Sequence, residues 1–350
     1  MERLENINIE SFSTLPSPRR IRRDIPLTDK AAQKAAEGRH AIERILRRES
    51  DRFIIVSGPC SVHNVDAALE YARRLKELSD QVGDRILLVM RAYVEKPRTT
   101  LGWKGLIYDP DLDGSCDIER GLHVSRKLLS DIAEMGLPVG CEVLDPVMPQ
   151  YLADLVSWAV IGARTTESQT HRQLVSGLSM PTGFKNPTDG SIKVAVEAIQ
   201  TAAAHHSFLG VTDEGRSGLF RTRGNPFCHL VLRGGTLGPN HGAEHVAFAR
   251  VLMQKVGVAP NIVVDCSHAN SGKRAERQGA VLDDIVEQVV GGETALVGAM
   301  LESNLKPGRQ DMACAHDIEP DQSITDACIG WESTRELVLS AYERLGARSS

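Results

Sequence analysis

The chain has 350 residues, of which 41% are hydrophobic and 25% charged, a composition typical of folded globular proteins and unlike that of a disordered chain. Only 4% of the residues are aromatic, so we expect a core of Val, Ile, Leu and Ala. The formal net charge of -5 argues against nucleic acid or an anionic membrane as a partner.

The cysteines and the N-terminus indicate a cytoplasmic protein. The seven cysteines are scattered and never form a Cys-x-x-Cys pair, which argues against a disulfide framework or a structural zinc site. The opening sequence MERLEN carries charges where a secretory leader needs an apolar segment. No stretch approaches the roughly 18 consecutive apolar residues of a membrane-spanning helix.

Residues 1–48 are predicted to form an N-terminal arm and a helix. Residues 16–23, PSPRRIRR, are basic and poor in core material. We expect them to be extended and either solvated or docked on a neighbouring subunit. A helix is predicted from Thr28, a suitable N-cap, with Ala35, Ile42 and Ile45 on one face.

Residues 49–350 are predicted to form one (β/α)8 TIM barrel. Short apolar runs recur with helical segments between most of them, and near-continuous hydrophobicity is typical of parallel strands covered on both faces. An open doubly wound sheet is the alternative, but its dinucleotide-binding form needs a glycine-rich fingerprint after the first strand, which is missing. The runs are 53–57, 86–90, 138–142, 159–163, 181–185, 229–233, 261–265 and 295–300, of which 181–185 is the weakest.

A β-hairpin is predicted to interrupt the alternation at about residues 205–225. Residues 207–211 and 218–222 have strand character and flank a turn at Asp213-Glu214-Gly215. A regulatory role, a role in oligomer assembly and plain structural decoration are open alternatives. The last helix is predicted at 331–345.

Reactive and charged residues cluster at the ends of the predicted strands. The carboxyl ends of the strands form the active-site face of a (β/α)8 barrel, and charged residues are seldom buried without partners. Any one of them has a structural explanation, such as a salt bridge, but the set indicates a common site. Its members are Cys60, Arg91, Glu142, Arg164, Lys185, Arg233, His268 and Glu302.

Four cations in this set predict a site for a small, highly charged anion. Guanidinium groups bind carboxylate and phosphate in a bidentate manner, and lysine adds a compact charge. Residues 165–168 are expected to begin a helix whose free N–H groups favour the same anion. Phosphoenolpyruvate, with a carboxylate and a phosphate on few carbons, is the leading candidate. The cations are Arg91, Arg164, Lys185 and Arg233.

The basic loop at residues 96–105 is a candidate site for a second phosphate. Arg98 and Thr99 offer donors, and Pro97 stiffens the loop. An ordinary solvated basic loop is the alternative.

A metal site is predicted from one thiol, one imidazole and two carboxylates. Such a mixed donor set accepts Mn, Fe, Co or Zn. No local spacing motif reveals the site, and a lone cysteine is usually a core residue. Cys266 and Cys328 are alternative thiolate ligands. The candidate ligands are Cys60, His268, Glu302 and Asp326.

Eight segments are long or specific enough to compare with known families. They are GPCS (58–61), RAYVEKPRTT (91–100), GWKGL (102–106), IGARTTES (161–168), GFKN (183–186), LRGG (232–235), DCSH (265–268) and SITDAC (323–328). They resemble the class I (type Iα, feedback-regulated) 3-deoxy-D-arabino-heptulosonate 7-phosphate (DAHP) synthases over nearly the whole chain. The resemblance implies a 3-deoxy-7-phosphoheptulonate synthase that joins phosphoenolpyruvate to erythrose 4-phosphate, the first step of the shikimate pathway.

The resemblance also implies roles for individual residues. It makes Cys60, His268, Glu302 and Asp326 the ligands of one divalent metal ion, with Cys60 as the thiolate. Lys96 is the implied proton donor to the new alkoxide, so Lys96, Cys60 and His268 are the expected catalytic residues. Arg98 and Thr99 are implied to hold the sugar phosphate. The residues implied to hold phosphoenolpyruvate are Arg91, Lys96, Ala163, Arg164, Lys185 and Arg233, and Glu142 is a further expected substrate-binding residue.

Feedback inhibition by an aromatic amino acid is expected from the same resemblance. Ordinary packing between helices and hairpin is the alternative explanation for the positions involved. Gly210 has no side chain and would leave room for an effector larger than phenylalanine. We also expect a homodimer or a homotetramer. The positions that resemble an effector pocket are Met148, Pro149, Gln150, Leu178, Ser179, Phe208 and Gly210.

Three rival functions are compatible with a barrel of this kind. A Schiff-base aldolase would use Lys185 and no metal. A 3-deoxy-octulosonate 8-phosphate synthase would use arabinose 5-phosphate, although the loop 96–100 favours the shorter sugar. A catalytically silent barrel would bind only the effector, and the loss of a metal ligand would mark it.

Overall fold

Eight of the apolar segments form parallel strands that close into a barrel in the computed structural model, which describes residues 4–312 and 318–347. The strands follow one another around the barrel in the order β1-β10-β9-β8-β5-β4-β3-β2. The prediction of a (β/α)8 barrel is therefore confirmed, and the open-sheet alternative is wrong. The strands are β1 (Phe53–Gly58), β2 (Ile86–Arg91), β3 (Val139–Glu142), β4 (Trp158–Ile161), β5 (Thr182–Lys185), β8 (Cys228–Leu232), β9 (Ile262–Asp265) and β10 (Leu296–Glu302).

The predicted hairpin and helices are present. Two antiparallel strands, β6 (Ser207–Val211) and β7 (Ser217–Arg221), form a separate small sheet. Thr28 and Asn64 cap their helices with side-chain oxygens, as their residue types favour. The helices are α1 (Pro18–Asp24), α2 (Asp29–Leu46), α3 (Val65–Val82), α4 (Ile118–Glu134), α5 (Pro149–Leu152), α6 (Gln169–Val175), α7 (Ile192–Ala202), α8 (Ala243–Lys255), α9 (Gln278–Val290) and α10 (Trp331–Leu345). Within the described residues, none of these helices has the length and apolarity needed to cross a bilayer.

The expectation that residues 16–23 are extended is wrong. Pro18 begins α1, where its fixed φ suits the first helical position, and Ser17 caps the helix. Ile21 is fully buried, so the segment does contribute core material. Arg19 pairs with Asp213 and Glu214 in the turn of the hairpin, so the basic segment contacts its own chain.

Alternate residues of each strand serve two different cores. In β1, Ile54 and Val56 point into the barrel, whereas Phe53 and Ile55 pack against the surrounding helices. The inward set also includes Ile42 and Ile45 of α2, so this helix closes one end of the barrel. All of these side chains are buried, which explains why the strands are hydrophobic without alternation.

A histidine–tryptophan pair lies inside the barrel. The Trp158 indole N–H donates to Nε2 of His229 over 3.0 Å, and both side chains are fully buried. Gly183 of β5 makes room for them, because a β carbon there would lie 2.6 Å from Val231 and 3.1 Å from the His229 ring. This packing explains the weak hydrophobic pattern of the fifth strand.

Candidate active site

The predicted site residues meet in one cavity of about 650 Å³ at the carboxyl ends of the strands. Cys60 does not line the cavity but lies fully buried directly beneath it, in contact with Lys96. The other predicted catalytic and substrate residues all line it: Arg91, Lys96, Arg98, Thr99, Glu142, Ala163, Arg164, Lys185, Arg233, His268, Glu302 and Asp326.

Three of the predicted metal ligands form a tight group. Sγ of Cys60 and carboxylate oxygens of Glu302 and Asp326 all lie within 4.8 Å of one another. Nε2 of His268 lies 3.9 Å from Oε1 of Glu302, so the imidazole borders the group without being a full member of it. Cys266 and Cys328 do not belong to the group, so within the described residues the geometry favours Cys60 as the thiolate.

The barrel brings these donors together from distant parts of the chain. Glu302 ends β10 and pairs in register with Gly58, which ends β1 just before Cys60. His268 follows β9 at a positive φ of 52°. Its Nδ1 lies 2.9 Å from the Asp265 carboxylate, although the ring is not aligned for a hydrogen bond, and its Nε2 is left facing Glu302.

Lys96 places a positive charge among the donors. Its Nζ lies 2.8 Å from Sγ of Cys60 and 3.0 Å from the Asp326 carboxylate. Burial works against the ammonium form, but the charges of Cys60 and Asp326 outweigh it and raise the pKa of Lys96 above its ordinary value. Burial, followed by the charge of Glu302, raises the pKa of the Cys60 thiol to about 11. The sulfur of Cys60, the carboxylates of Glu302 and Asp326 and the imidazole of His268 are donor types that suit a divalent transition metal.

Arg91, one of the predicted anion-binding cations, is held in place by several protein contacts. The buried Arg91 donates to the backbone oxygens of Pro59 and Cys60 and to Glu302, and it stacks 3.5 Å from the centre of the Tyr93 ring. Arg91 thus holds the metal-site loop in place as well as lining the cavity.

The other cations point toward the anion site from neighbouring strands. Arg164 donates to Oγ1 of Thr99 over 2.9 Å, which ties β4 to the basic loop. Burial lowers the pKa of Arg233, which directly follows β8 and faces the cavity half-buried. Lys185 pairs with the buried Asp265 at 2.6 Å. This ion pair commits Nζ of Lys185 to Asp265, whereas Schiff-base formation needs an amine that is free to attack a carbonyl.

The helix after Arg164 begins later than expected. Residues 165–168 form turns, and α6 starts at Gln169 with Ser168 as its N-cap. The backbone N–H groups of Thr165 and Thr166 donate to the carbonyl of Gly162, and that of Ser168 donates to the carbonyl of Thr165. The prediction that a helix start beside Arg164 supplies free N–H groups is therefore wrong.

Glu142 directs an unpartnered oxygen at the cavity wall. Its buried Oε1 accepts no hydrogen bond within the described residues. Gly162 accommodates it, because a β carbon at that position would lie 2.2 Å from this oxygen.

Lys273, Arg309 and Glu95 lie at this site but were not predicted from the sequence. Lys273 and Arg309 line the cavity but stand in loops away from the strand ends, so neither hydrophobic period nor motif signalled them. Glu95 lies inside the quoted motif 91–100, is almost fully buried, and accepts the backbone N–H groups of Leu144 and Asp145. Burial raises the pKa of Glu95 to about 8.

A second cavity of about 610 Å³ lies beside the hairpin. It contains Pro149, Gln150, Leu178, Ser179 and Phe208 of the expected effector pocket, with four arginines around them. Met148 and Gly210 do not line it. The space beside Gly210 belongs to Phe220, whose ring would lie 2.9 Å from a β carbon at that position. The four arginines are Arg22, Arg39, Arg221 and Arg223.

Comparison with known proteins identifies the family. Residues 25–339 match the sequence profile of the DAHP synthetase I family. The chain belongs to this family. It therefore has the fold and the enzyme class, 3-deoxy-7-phosphoheptulonate synthase, that the sequence motifs predicted.

Named relatives align over almost their full length. The chain is 48% identical over 344 residues to the Phe-sensitive phospho-2-dehydro-3-deoxyheptonate aldolase of Escherichia coli K12, which covers 98% of each chain. It is 46% identical over 346 residues to the Tyr-sensitive enzyme of the same organism, covering 99% of this chain and 97% of the relative. The solved structure of the corresponding aldolase from Francisella tularensis SCHU S4 superposes with a TM-score of 0.96 at 43% identity, covering 98% of this chain and all of that one.

Proposed function

We propose that this DAHP synthase family member condenses phosphoenolpyruvate with erythrose 4-phosphate to give DAHP and inorganic phosphate. The observation that carries the proposal is the meeting, in one cavity, of the Cys60–Glu302–Asp326 donor group with a ring of cations. The names of the relatives support the same reaction. The silent-barrel alternative loses support because no predicted metal ligand is absent from the sequence.

The cations of β4, β5 and β8 suit phosphoenolpyruvate. Arg164, Lys185 and Arg233 offer bidentate and point-charge donors to a carboxylate and a phosphate that lie a few atoms apart. The backbone N–H of Ala163 adds a neutral donor. Arg98 and Thr99 then serve the phosphate of the aldose, and the hydrogen bond from Arg164 to Thr99 keeps the two anion sites adjacent.

Cys60, His268, Glu302 and Asp326 are the residues that would hold one divalent ion, with Mn, Fe, Co and Zn as candidates. Such an ion would act as a Lewis acid on the aldehyde oxygen of the aldose. The residues themselves keep the aldehyde end on the β1–β10–β9 side of the mouth, opposite the cations that bind phosphoenolpyruvate.

Lys96 is the proposed proton donor. The C3 carbon of phosphoenolpyruvate forms a bond with C1 of erythrose 4-phosphate, and the former aldehyde oxygen takes a proton from Nζ of Lys96. Water then adds to C2, the bond from C2 to the phosphate oxygen breaks, and C2 becomes the ketone of the product. The raised pKa of Lys96 keeps the ammonium protonated for this step. The surrounding guanidinium groups neutralise the carboxylate and the phosphate of phosphoenolpyruvate and stabilise the negative charge of the departing phosphate.

We further propose that an aromatic amino acid inhibits the enzyme from the cavity beside the hairpin. The stacked rings of Phe208 and Phe220, with centroids 5.8 Å apart, offer an aromatic wall. Arg221 and Arg223 offer donors to a carboxylate, and neither guanidinium group forms a hydrogen bond or an ion pair within the described residues. The relatives named Phe-sensitive and Tyr-sensitive support this regulation. We place the enzyme in the cytoplasm as a homodimer or homotetramer.

The test is consumption of phosphoenolpyruvate with erythrose 4-phosphate or arabinose 5-phosphate, each with Mn²⁺ or with EDTA. We expect phosphate release only with the four-carbon sugar and only with the metal. Cys60→Ser should abolish turnover and metal retention, whereas Cys266→Ser, a matched buried thiol outside the donor group, should keep both. Equal turnover in EDTA, preference for the five-carbon sugar, or inactivation by borohydride with pyruvate would contradict the proposal.

A further inference from the structure

Lys273 stands out as a strained residue at the mouth of the catalytic cavity. Its φ is +62°, a left-handed conformation that costs a residue with a β carbon roughly 1–2 kcal/mol relative to glycine. Lysine has no short polar group that relieves this strain locally, as Asn or Asp would. Residues held in such conformations concentrate at functional sites, where the surrounding structure enforces them.

The loop that carries Lys273 is firmly held in its strained shape. The Lys273 N–H donates to the carbonyl of His268 over 2.6 Å, so the strained lysine closes the turn that positions the imidazole. The buried amide of Asn270 donates to the carbonyls of Leu232 and Asp265, which anchors the middle of the loop to β8 and β9. The backbone therefore fixes where the lysine side chain starts.

The lysine side chain itself is uncommitted. It lines the catalytic cavity and forms no hydrogen bond or ion pair within the described residues. Arg309, from the segment after β10, lines the same cavity, and its side chain has one loose contact of 3.8 Å, with Asp311, among the residues that the structure describes. The catalytic cavity therefore has two further cations that the binding of phosphoenolpyruvate does not use.

The position of these two cations indicates which substrate they serve. β9 and β10 are neighbours in the barrel and carry His268 and Glu302, so Lys273 and Arg309 rim the half of the mouth that holds the metal donors. The cations proposed to bind phosphoenolpyruvate lie at the ends of β4, β5 and β8, on the other half of the mouth. An aldose whose aldehyde end lies at the donors extends outward toward the mouth, where an anion-binding group is needed.

We propose that Lys273 is a specificity-determining residue that, together with Arg309, binds the phosphate end of the aldose phosphate at the mouth of the cavity. This inference rests on the proposed function for the identity of the substrate. Lys273 and Arg309 face the cavity from the loops after β9 and β10, and Arg98 and Thr99 face it from the loop after β2. The two pairs together explain how a short phosphorylated aldehyde is selected over an uncharged one.

Three substitutions separate charge from backbone strain. Lys273→Met keeps the strain and removes the charge, Lys273→Gly removes both, and Lys273→Arg keeps both. We expect Lys273→Met and Lys273→Gly to raise the KM for erythrose 4-phosphate about tenfold, which is the effect of losing one charge-assisted hydrogen bond. The KM for phosphoenolpyruvate should stay within about twofold of the wild-type value. Lys273→Arg keeps the charge, so its KM for erythrose 4-phosphate should stay close to that of the wild type. If residue 273 had a purely structural role, Lys273→Gly would have the wild-type KM for erythrose 4-phosphate.

Binding of erythritol 4-phosphate, which has no aldehyde and cannot react, tests the site without turnover. Calorimetric titration should give a Kd about tenfold weaker in Lys273→Met than in the wild type. An unchanged Kd in both Met and Gly variants, or no binding of this ligand to the wild type, would overturn the inference. If the wild type is inactive with every aldose phosphate but this difference in Kd persists, the proposed reaction fails and the phosphate-binding role of Lys273 stands.

Discussion

Replacing His229 by Gln tests the buried pair inside the barrel through the pH dependence of stability. Nε2 of His229 accepts the indole N–H of Trp158, and Nδ1 faces the carbonyl of Phe227 at 3.3 Å. Burial lowers the pKa of His229 to about 4, compared with about 6.5 for an exposed histidine. Protonation would set a second N–H against the indole donor, so the folded state keeps the ring neutral.

The sign follows from where the proton binds. As the pH falls below about 6.5, the unfolded chain takes up a proton that the folded chain refuses until about pH 4, so stability is lost across this window. The two pKa values give a loss of about 2 kcal/mol in the free energy of unfolding between pH 7.5 and pH 5. Below about pH 4 the loss levels off near 3 kcal/mol.

The assay is urea-induced unfolding at pH 7.5 and pH 5, with chelator present throughout so that metal binding does not contribute. His229→Gln retains an acceptor for the Trp158 N–H but cannot titrate, so its loss of stability over this range should be smaller by about 2 kcal/mol. His40→Gln, at an exposed position, should keep the wild-type dependence. The reasoning is refuted if His229→Gln retains the full wild-type loss, or if the His40 variant reduces it equally.

Three further outcomes test the site and its supports. Mn²⁺ at about 100 times its Kd should raise the free energy of unfolding of the wild type and of Cys266→Ser by about 2.7 kcal/mol, with no such gain in Cys60→Ser, measured by chemical denaturation. Arg126→Met removes a buried guanidinium that binds the half-buried carboxylate of Asp154 in a bidentate pair, and it should cost about 2 kcal/mol in the same assay, with Arg126→Lys less damaging. Gly105→Ala puts a β carbon 2.4 Å from a backbone carbonyl at the base of the Lys96 loop and should lower kcat about tenfold or more, whereas Gly114→Ala, with open space around it, should not. An unchanged kcat in the first glycine variant would show that the loop tolerates movement.

The strands were predictable because their hydrophobic pattern depends only on burial. Ile54 and Val56 face the barrel interior while Phe53 and Ile55 face the helices, so every residue of the run is apolar. The fifth strand has a weaker hydrophobic pattern because Gly183 has no side chain, which leaves space for the rings of Trp158 and His229. The pairing of a small residue on one strand with large side chains on its neighbours depends on tertiary packing, which a local hydrophobic pattern does not predict.

The N-terminal helix α1 could not be predicted for a related reason. Its charges suggested a solvated arm, but the acidic partners of Arg19 lie in a turn 194 residues away along the chain. Ile21 is the only large aliphatic side chain within 18–24, and a single buried residue gives no helical period. The helix therefore depends on its packing, with the Tyr151 hydroxyl donating to the carbonyl of Pro16 just before it.

The separation of the metal donors from the substrate-binding cations depends on closure of the barrel, so it could not be predicted from local sequence patterns. Glu302 ends β10, and Cys60 and His268 follow β1 and β9, which are the two neighbours of β10 because the first strand pairs with the last. The cations proposed for phosphoenolpyruvate stand on β8, β5 and β4, the next three strands around the ring. Lys96, from the loop after β2, reaches Cys60 and Asp326 among the donors and lines the same cavity as those cations. A carbon–carbon bond between two anionic substrates needs this separation, because each anion must be neutralised on its own side while a proton is delivered between them.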